Sequence, residues 1–184
     1  MASKFRLHPV NTAFIVVDIQ EKLMVTMDYR EKIYKSHRIL MALARQLNIP
    51  VIKCEQYPKG LGSTVPEVAD LLPEEHFKLE KVSFSAFGQD LQNILQQINP
   101  QNIVITGTET HVCVFQTTRD LLEAGYNVHV ARDGVCSRFK ENYLSGLQLM
   151  ENMGAVINNT ETIAFDLLQR SDTPDFKVVS PIFK

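Results

Sequence analysis

Cysteine is scarce in this sequence of 184 residues, and its arrangement excludes two classes of small protein. The three cysteines, Cys54, Cys113 and Cys136, are odd in number and form no Cys-x-x-Cys pair. Disulfide frameworks use even numbers of cysteines, and zinc ribbons use closely spaced pairs. Neither class fits this chain. A reducing compartment suits it best, so we expect a cytoplasmic location.

The sequence also lacks a long uncharged apolar run. No stretch approaches the roughly 18 apolar residues that a membrane span requires, so we expect no membrane association. The N-terminal segment carries Lys4 and Arg6 but not the apolar core of a secretory signal. No acidic residue precedes Asp18, which leaves a mitochondrial location open as the alternative.

A surplus of either charge is missing as well. Lys and Arg together number 19 and Asp and Glu number 21, which gives a net charge of −2. Nucleic acid is therefore not an expected partner, because the chain has no basic excess for a phosphate backbone. Hydrophobic residues make up 45% and charged residues 22%, close to the averages of globular proteins. At about 150 residues per domain, we expect residues 1–184 to form one domain.

Apolar runs alternate with segments of helical periodicity along the chain. The apolar runs predict six strands, at Thr12 to Asp18, Val51 to Glu55, His76 to Lys81, Asn102 to Thr106, Tyr126 to Ala131 and Ala155 to Asn158. Helical spacing predicts helices from Asp28 to Leu47, Gln89 to Ile98, Cys113 to the stop at Gly125, Lys140 to Met153, and Thr160 to Leu168. Asp28 is the expected N-cap of the first helix. The turn-rich stretch from Tyr57 to Glu67 and the tail from Ser171 are expected to be irregular.

This alternation predicts a three-layer α/β domain of the doubly wound, Rossmann-like kind, with a six-stranded parallel sheet. The natural strand order is 3-2-1-4-5-6. In such sheets ligands bind beyond the carboxyl ends of the strands, where the order reverses between strands one and four. Asp18 and Cys113 follow those two strands, so we expect them to be neighbours.

Three reactive side chains lie at carboxyl ends of predicted strands: Asp18, Lys81 and Cys113. Together they offer a base, a cation and a nucleophile in one crevice. The start of a helix at Cys113 is expected to stabilise its thiolate. Taken singly, each residue has a common structural use, as a buried thiol, a carboxylate that caps backbone amides, or a solvated lysine.

Motifs around these residues resemble the signatures of the isochorismatase-like cysteine hydrolases. They read DIQ at Asp18–Gln20, KVSF at Lys81–Phe84 and GTETHVC at Gly107–Cys113. The longer runs EQYPKGLGSTVPEV, from Glu55 to Val68, and TGTETHVCVFQTTRDLLEAG, from Thr106 to Gly125, resemble the subgroup of isochorismatase domain-containing proteins.

The resemblance implies a role for each motif residue. Cys113 would be the nucleophile, Asp18 the general base and Lys81 the cation that holds the pair charged. It also implies a cis peptide between Thr108 and Glu109, with the backbone N–H groups of Glu109 and Cys113 forming an oxyanion hole. The implied reaction is cleavage of a small amide through a thioester.

The resemblance places Gln20 and Phe84 in the pocket, and the residue types suggest a partly aromatic pocket, although core or loop packing is an open alternative for Tyr57, Phe84, Phe87 and His111. The residues expected to line the substrate pocket are Gln20, Tyr57, Phe84, Phe87 and His111. The nicotinamidase branch binds a metal through a D-x-H motif, but the matching stretch here reads CEQYPKGLG and has no histidine. We therefore expect no metal and no other cofactor.

Other readings remain open at this level. A glutamine-amidotransferase-like protein would need small residues around the cysteine, whereas Val112 and Val114 flank Cys113. The chain could also be a non-catalytic interaction protein, or a nuclease-like protein that keeps the hydrolase fold. We expect a small-molecule substrate and, on resemblance alone, a homo-oligomer.

Overall fold

Six strands form the centre of the molecule in the computed structural model, which describes residues 4–183. Residues 1–3 belong to the N-terminal segment for which a mitochondrial location is left open, and they lie outside the described range. The strands are β1 (Thr12–Val17), β2 (Val51–Gln56), β3 (Phe77–Lys81), β4 (Asn102–Thr108), β5 (Asn127–Cys136) and β6 (Val156–Asn158).

The strands form one sheet in the order β3-β2-β1-β4-β5-β6, and every neighbouring pair is parallel. The predicted fold class and strand order are confirmed. Because β1 lies at the centre, Val17 at its end faces Cys54 on one side and Gly107 on the other. The carboxyl ends of β1 and β4 thus lie side by side, at the point where the order reverses.

The sheet is covered by helices on both faces, which explains why its central strands are apolar throughout. Every residue of β1 is buried. Phe14 and Val16 belong to one core cluster, and Ala13, Ile15 and Val17 to the other. Alternate side chains of a strand point to opposite faces, so burial on both faces requires a continuous apolar run.

The longer helices divide between the two faces. They are α2 (Arg30–Leu47), α5 (Gln89–Ile98), α6 (Phe115–Glu123), α7 (Lys140–Asn152) and α8 (Thr160–Leu168). Residues 4–183 also contain four short helices: α1 (Glu21–Met24), α3 (Pro58–Leu61), α4 (Pro66–Ala69) and α9 (Pro174–Val179). Core residues of α2, α8 and α9 belong to the first cluster and those of α5, α6 and α7 to the second. No helix within residues 4–183 is long and apolar enough to cross a membrane.

Two segments expected to be irregular contain short helices. The stretch between β2 and β3 holds α3 and α4, and the C-terminal tail holds α9 and a 3-10 turn at Ser180–Phe183. Each of the three helices has a proline in its first turn, where the fixed φ angle favours helix and the missing N–H costs nothing. Packing against the core holds α4 and α9, as the burial of Val68 and Val179 shows, whereas α3 has no buried residue.

Several element boundaries also differ from the sequence-based expectation, among them the start of α2 and the end of β5. Asp28 is not the N-cap of α2, because that helix begins at Arg30 with Tyr29 at its N-cap and no side-chain cap bond. Strand β5 continues beyond Ala131 to Cys136, through a register shift against β4. Cys136 is therefore at the end of a strand and not in a loop.

Candidate active site

Asp18, Lys81 and Cys113 come together at the carboxyl edge of the sheet. Asp18 follows β1, Lys81 is the last residue of β3, and Cys113 lies in a π-helical turn after β4. Lys81 Nζ donates to Asp18 Oδ2 at 2.7 Å. The exposed fractions of the residues are 0%, 8% and 6%, so the group is almost closed to solvent.

The backbone fixes Asp18 in an unusual conformation. Its φ angle is +51°, in the left-handed region that few residues other than glycine adopt. Its N–H donates to Cys54 O at 3.0 Å, and its carbonyl accepts from Thr108 Oγ1 at 2.6 Å. These bonds to β2 and β4 hold the carboxylate at the centre of the strand ends.

The two carboxylate oxygens of Asp18 differ in their surroundings. Oδ2 accepts from Lys81, whereas Oδ1 is buried with no well-formed hydrogen bond within residues 4–183. The Cys113 thiol is nevertheless near enough to lower the Asp18 pKa by hydrogen bonding. A thiol hydrogen rotates freely, so it can turn toward the carboxylate. Oδ1 is thus the carboxylate oxygen that no donor among residues 4–183 occupies.

Lys81 is held by a ring of oxygen atoms. Besides Asp18, its ammonium faces Gln56 Oε1 at 2.7 Å and the carbonyls of Ser83 and Phe84 at 3.3 and 3.1 Å. An ammonium has three protons to donate, so these four acceptors satisfy all of its hydrogen-bonding capacity. The Gln56 amide is itself fixed, because Nε2 donates to Val82 O at 2.7 Å.

Sequence reasoning missed Gln56. The available signal was the position of Gln56 at the end of β2. This strand lies between β1, which Asp18 follows, and β3, which ends at Lys81. A polar side chain at the end of β2 can therefore reach both Asp18 and Lys81.

The charges at the site favour a protonated thiol. The pKa of Cys113 is raised to about 12, mainly by burial and then by the Asp18 charge, against the lowering effect of Lys81. Burial also raises the pKa of Asp18, against the lowering effect of Lys81. The expectation of a thiolate stabilised by a helix start is therefore wrong for this structure. The residue lies in a π turn at Thr110–Val114, and α6 begins only at Phe115.

The turn that carries Cys113 starts from a tight approach between β4 and β1. Gly107 has a φ angle of +124°, and a Cβ there would lie 1.9 Å from Val17 O, so only glycine fits. The following peptide bond between Thr108 and Glu109 is cis. The Glu109 carboxylate is turned away to Arg138, whose backbone N–H and Nη2 contact it at 3.0 and 3.2 Å. Only the backbone of Glu109 is left for the site.

The Gln20 side chain joins the end of β2 to the connection that contains α3 by hydrogen bonds, and it does not present its amide to a pocket. The side chain is fully buried. Its Nε2 donates to Gln56 O at 3.0 Å and Gly62 O at 2.7 Å, and its Oε1 accepts from Gln56 N at 2.7 Å. Both amide protons are used, so Gln20 holds the connection that contains α3 against the end of β2.

The other expected pocket residues divide into two groups. Tyr57 and Phe84 are 54% and 56% exposed. Both lie beside Lys81, because Tyr57 N donates to Lys81 O and Phe84 O accepts from the Lys81 ammonium. Phe87 packs against the core cluster under α5 and α6. His111 is half-buried, and its Nδ1 is 3.0 Å from Ser137 Oγ. Within residues 4–183 no three His, Cys, Asp or Glu side chains are grouped to hold a metal ion.

Comparison with known proteins gives the family. The model of the isochorismatase domain matches residues 12–162. Isochorismatase domain-containing protein 2 of Danio rerio is 34% identical, over 99% of this chain and 91% of its own. A solved structure described as the MAR1 ribonuclease of Caenorhabditis elegans is 41% identical with a TM-score of 0.92, over 96% of this chain and 91% of that one.

A more distant structure shows how far the fold extends. The YcaC gene product of Escherichia coli, described as an octameric hydrolase of unknown specificity, has a TM-score of 0.89 over 97% of this chain and 89% of its own. At 22% identity it shows a shared fold alone. The family model and the Danio relative carry the assignment: this chain belongs to the isochorismatase-like superfamily, with relatives among the isochorismatase domain-containing proteins.

Proposed function

We propose that this protein is a cysteine hydrolase that cleaves the C–N bond of a small amide. The observation that carries the proposal is the buried Lys81–Asp18 pair beside Cys113, with Asp18 Oδ1 left as a free acceptor. A nucleophile with a base in reach, and a third group that holds the base, is the arrangement on which covalent catalysis depends.

Asp18 moves the proton in each half of the proposed reaction. Its Oδ1 takes the proton from Cys113 Sγ as the sulfur attacks the amide carbonyl. The tetrahedral intermediate collapses, the C–N bond breaks, and Asp18 gives the proton to the departing ammonia or amine. A water molecule then attacks the thioester and loses its proton to Asp18. The C–S bond breaks, the carboxylic acid leaves, and Asp18 returns the proton to the Cys113 sulfur.

The pKa directions suit this exchange of protons. Burial raises the Asp18 pKa, which makes the carboxylate a stronger base toward the thiol and a usable acid toward the amine. The backbone N–H groups of Glu109 and Cys113 are the proposed oxyanion donors, and one such donor contributes on the order of 100-fold or more to turnover. Because the chain supplies every group for these steps, we expect no cofactor.

The burial of the group limits the substrate. Cys113 is only 6% exposed, so the acyl group that reaches it must be small. The exposed rings of Tyr57 and Phe84 stand next to Lys81 and would contact the rest of the substrate.

A screen of small amides for ammonia release tests the proposal. We expect Cys113→Ala and Asp18→Asn to lower turnover by at least about 1000-fold, because each removes a group from the reacting set. Cys54→Ala is the matched control, a buried cysteine in β2 outside that set. Hydrolysis that persists in Cys113→Ala would refute the proposal. A chain that cleaves none of the amides and forms no acyl-enzyme would favour the interaction-protein alternative.

Cleavage of RNA is a second candidate, favoured by one observation. The structure that is 41% identical to this chain is described as a ribonuclease. The net charge of −2 counts against this function. Incubation of the same variants with single-stranded RNA separates the candidates, because loss of RNA cleavage in Cys113→Ala, with no amide hydrolysis in the parent chain, would assign the site to RNA.

We also propose that the protein is a homo-oligomer. The E. coli protein of the same fold is described as octameric, and the side chains of Tyr57, Val82 and Phe84 beside the site are exposed, which supports this view. Light scattering after size-exclusion chromatography tests it, and a mass near the chain's 20.9 kDa would refute it.

A further inference from the structure

A cleft of about 510 Å³ lies at the carboxyl end of β5. It opens between the first turns of α2 and α7, with Tyr29 and Lys32 on one side and Lys140 and Tyr143 on the other. Its volume lies in the range of small-molecule sites, about 300 to 1000 Å³. Asp18, Lys81 and Cys113 are not among its lining residues.

The charged lining of the cleft is mainly basic. Lys32, Arg132 and Lys140 contribute cations, and none of the three takes part in an ion pair within residues 4–183. The acidic residue in the lining, Asp133, is already engaged, because its Oδ1 accepts from the backbone and hydroxyl of Thr160 at 2.8 and 2.9 Å. The charged lining, three cations against one hydrogen-bonded carboxylate, is therefore net positive.

Two helix starts add to this positive field. Tyr29 is the N-cap of α2, and Lys140 is the first residue of α7. Neither helix has a side-chain cap bond at its N-terminus, and both run away from the cleft. The positive ends of their dipoles thus face it. Glu31 and Glu141 occupy the first turns but are exposed and do not line the cleft.

Two tyrosines give the cleft an aromatic component. Tyr29 is 49% exposed, with the Lys32 ammonium 5.2 Å from its ring centroid. Tyr143 is fixed by donation from its hydroxyl to Arg132 O at 2.8 Å. Accessible aromatic faces beside cations are a common means of holding a planar ring that carries a negative group.

We propose that this cleft binds a phosphate monoester attached to an aromatic ring, as in a nucleoside monophosphate. The phosphate would contact Lys32, Arg132 and Lys140, and the base would lie against Tyr29. A hydrogen bond connects the cleft to the turn that carries Cys113, because Ser137 lines the cleft and its Oγ is 3.0 Å from His111 Nδ1. The proposal does not depend on amide hydrolysis.

Calorimetric titration with adenosine monophosphate and with inorganic phosphate, at low ionic strength, tests the cleft. We expect the double variant Lys32→Gln, Lys140→Gln to bind both ligands at least about tenfold more weakly, because it loses two charge-assisted contacts. We expect Tyr29→Ala to weaken binding of the nucleotide but not of phosphate. Lys78→Gln, which removes an exposed lysine of β3, is the matched control and should bind as the parent chain does.

The contrary results are equally definite. Binding that is absent at millimolar nucleotide, or unchanged in the double variant, would overturn the proposal, with circular dichroism used to check that each variant is folded. Loss of binding in Cys113→Ala with retention in the double variant would place the ligand at the other site and also overturn it. A 5′-phosphorylated dinucleotide that binds as tightly as the mononucleotide would support the chemistry and identify the end of an RNA strand as its source.

Discussion

Two ion pairs in this protein each join a cationic side chain to an aspartate, but the pKa of the aspartate shifts in opposite directions in the two pairs. Lys81 and Asp18 meet at 2.7 Å with side chains that are 5% and 0% exposed. Arg170 and Asp172 meet on the surface with side chains that are 72% and 65% exposed. In the surface pair the guanidinium lowers the pKa of Asp172, whereas in the buried pair the pKa of Asp18 is raised in spite of its lysine.

The difference shows which effect dominates at the site. Burial removes water from the carboxylate and disfavours its charge by more than one ammonium restores. Water remains at the surface pair, so Arg170 decides the direction in which the pKa of Asp172 shifts. A carboxylate that is poorly stabilised next to a thiol is suited to accept a proton, and the surface carboxylate is not.

The largest effect is expected from Lys81→Met, which leaves the buried Asp18 charge without its partner. Amide hydrolysis should fall by at least about 1000-fold. The free energy of unfolding in urea should fall by about 3 kcal/mol, because breaking a buried pair strands a charge. Arg170→Met is the matched change in the surface pair and should leave both quantities unaltered. Equal effects of the two substitutions would contradict the comparison.

The arrangement of the strands that carry the pair follows from the sequence. The continuous apolar run of β1 requires burial on both faces, and the alternation of strands and helices predicts the parallel sheet and its order. Once that order is known, Asp18 and Cys113 must lie at adjacent strand ends. The family motifs add the roles of these residues.

The surroundings of these residues were beyond sequence reasoning. Whether Asp18 Oδ1 is free, and whether Gln56 reaches Lys81, depends on side chains that three separate strands bring together. The thiolate expectation failed for the same reason. A helix start is visible in the local sequence, but the burial of Cys113 and its distance from Asp18 depend on the tertiary fold.

A smaller effect is expected from Gln56→Leu, which removes one acceptor from the Lys81 ammonium. Lys81 would keep its contacts with Asp18, Ser83 O and Phe84 O, so the site should weaken without collapsing. We expect turnover to fall about tenfold and the unfolding free energy by about 1 to 3 kcal/mol. Gln96→Leu, on the exposed side of α5, is the control for a surface glutamine. A neutral result at Gln56 would mean that Asp18 and the carbonyls of Ser83 and Phe84 position the lysine without it.

The pH dependence of stability separates the two carboxylates by sign. The folded-state pKa of Asp18 is raised, so the folded protein holds its proton more tightly than the unfolded chain does. This contribution is present below the unfolded pKa of about 3.9 and is lost as the pH rises through the folded pKa. The stability of the parent chain relative to Asp18→Asn should therefore fall by up to about 1.4 kcal/mol per pH unit over that window. For Asp172, whose pKa is lowered, the relative stability should instead fall as the pH decreases.

The last prediction concerns the rate at which Cys113 is alkylated in Asp18→Asn. The Asp18 charge raises the pKa of the thiol, and Lys81 lowers it. Removal of the negative charge should therefore increase the thiolate fraction and speed alkylation at pH 9 by about tenfold, because the thiolate is the reacting form. Peptide mapping after limited alkylation measures this rate.

Cys136 is the internal control, since its pKa is raised by burial and by Glu109. A variant with a more reactive thiol but no hydrolysis would separate the two roles of Asp18, as the charge that suppresses the thiolate and as the base that accepts its proton. Slower alkylation of Cys113, or equal acceleration of Cys136, would show that the buried pair does not control this thiol.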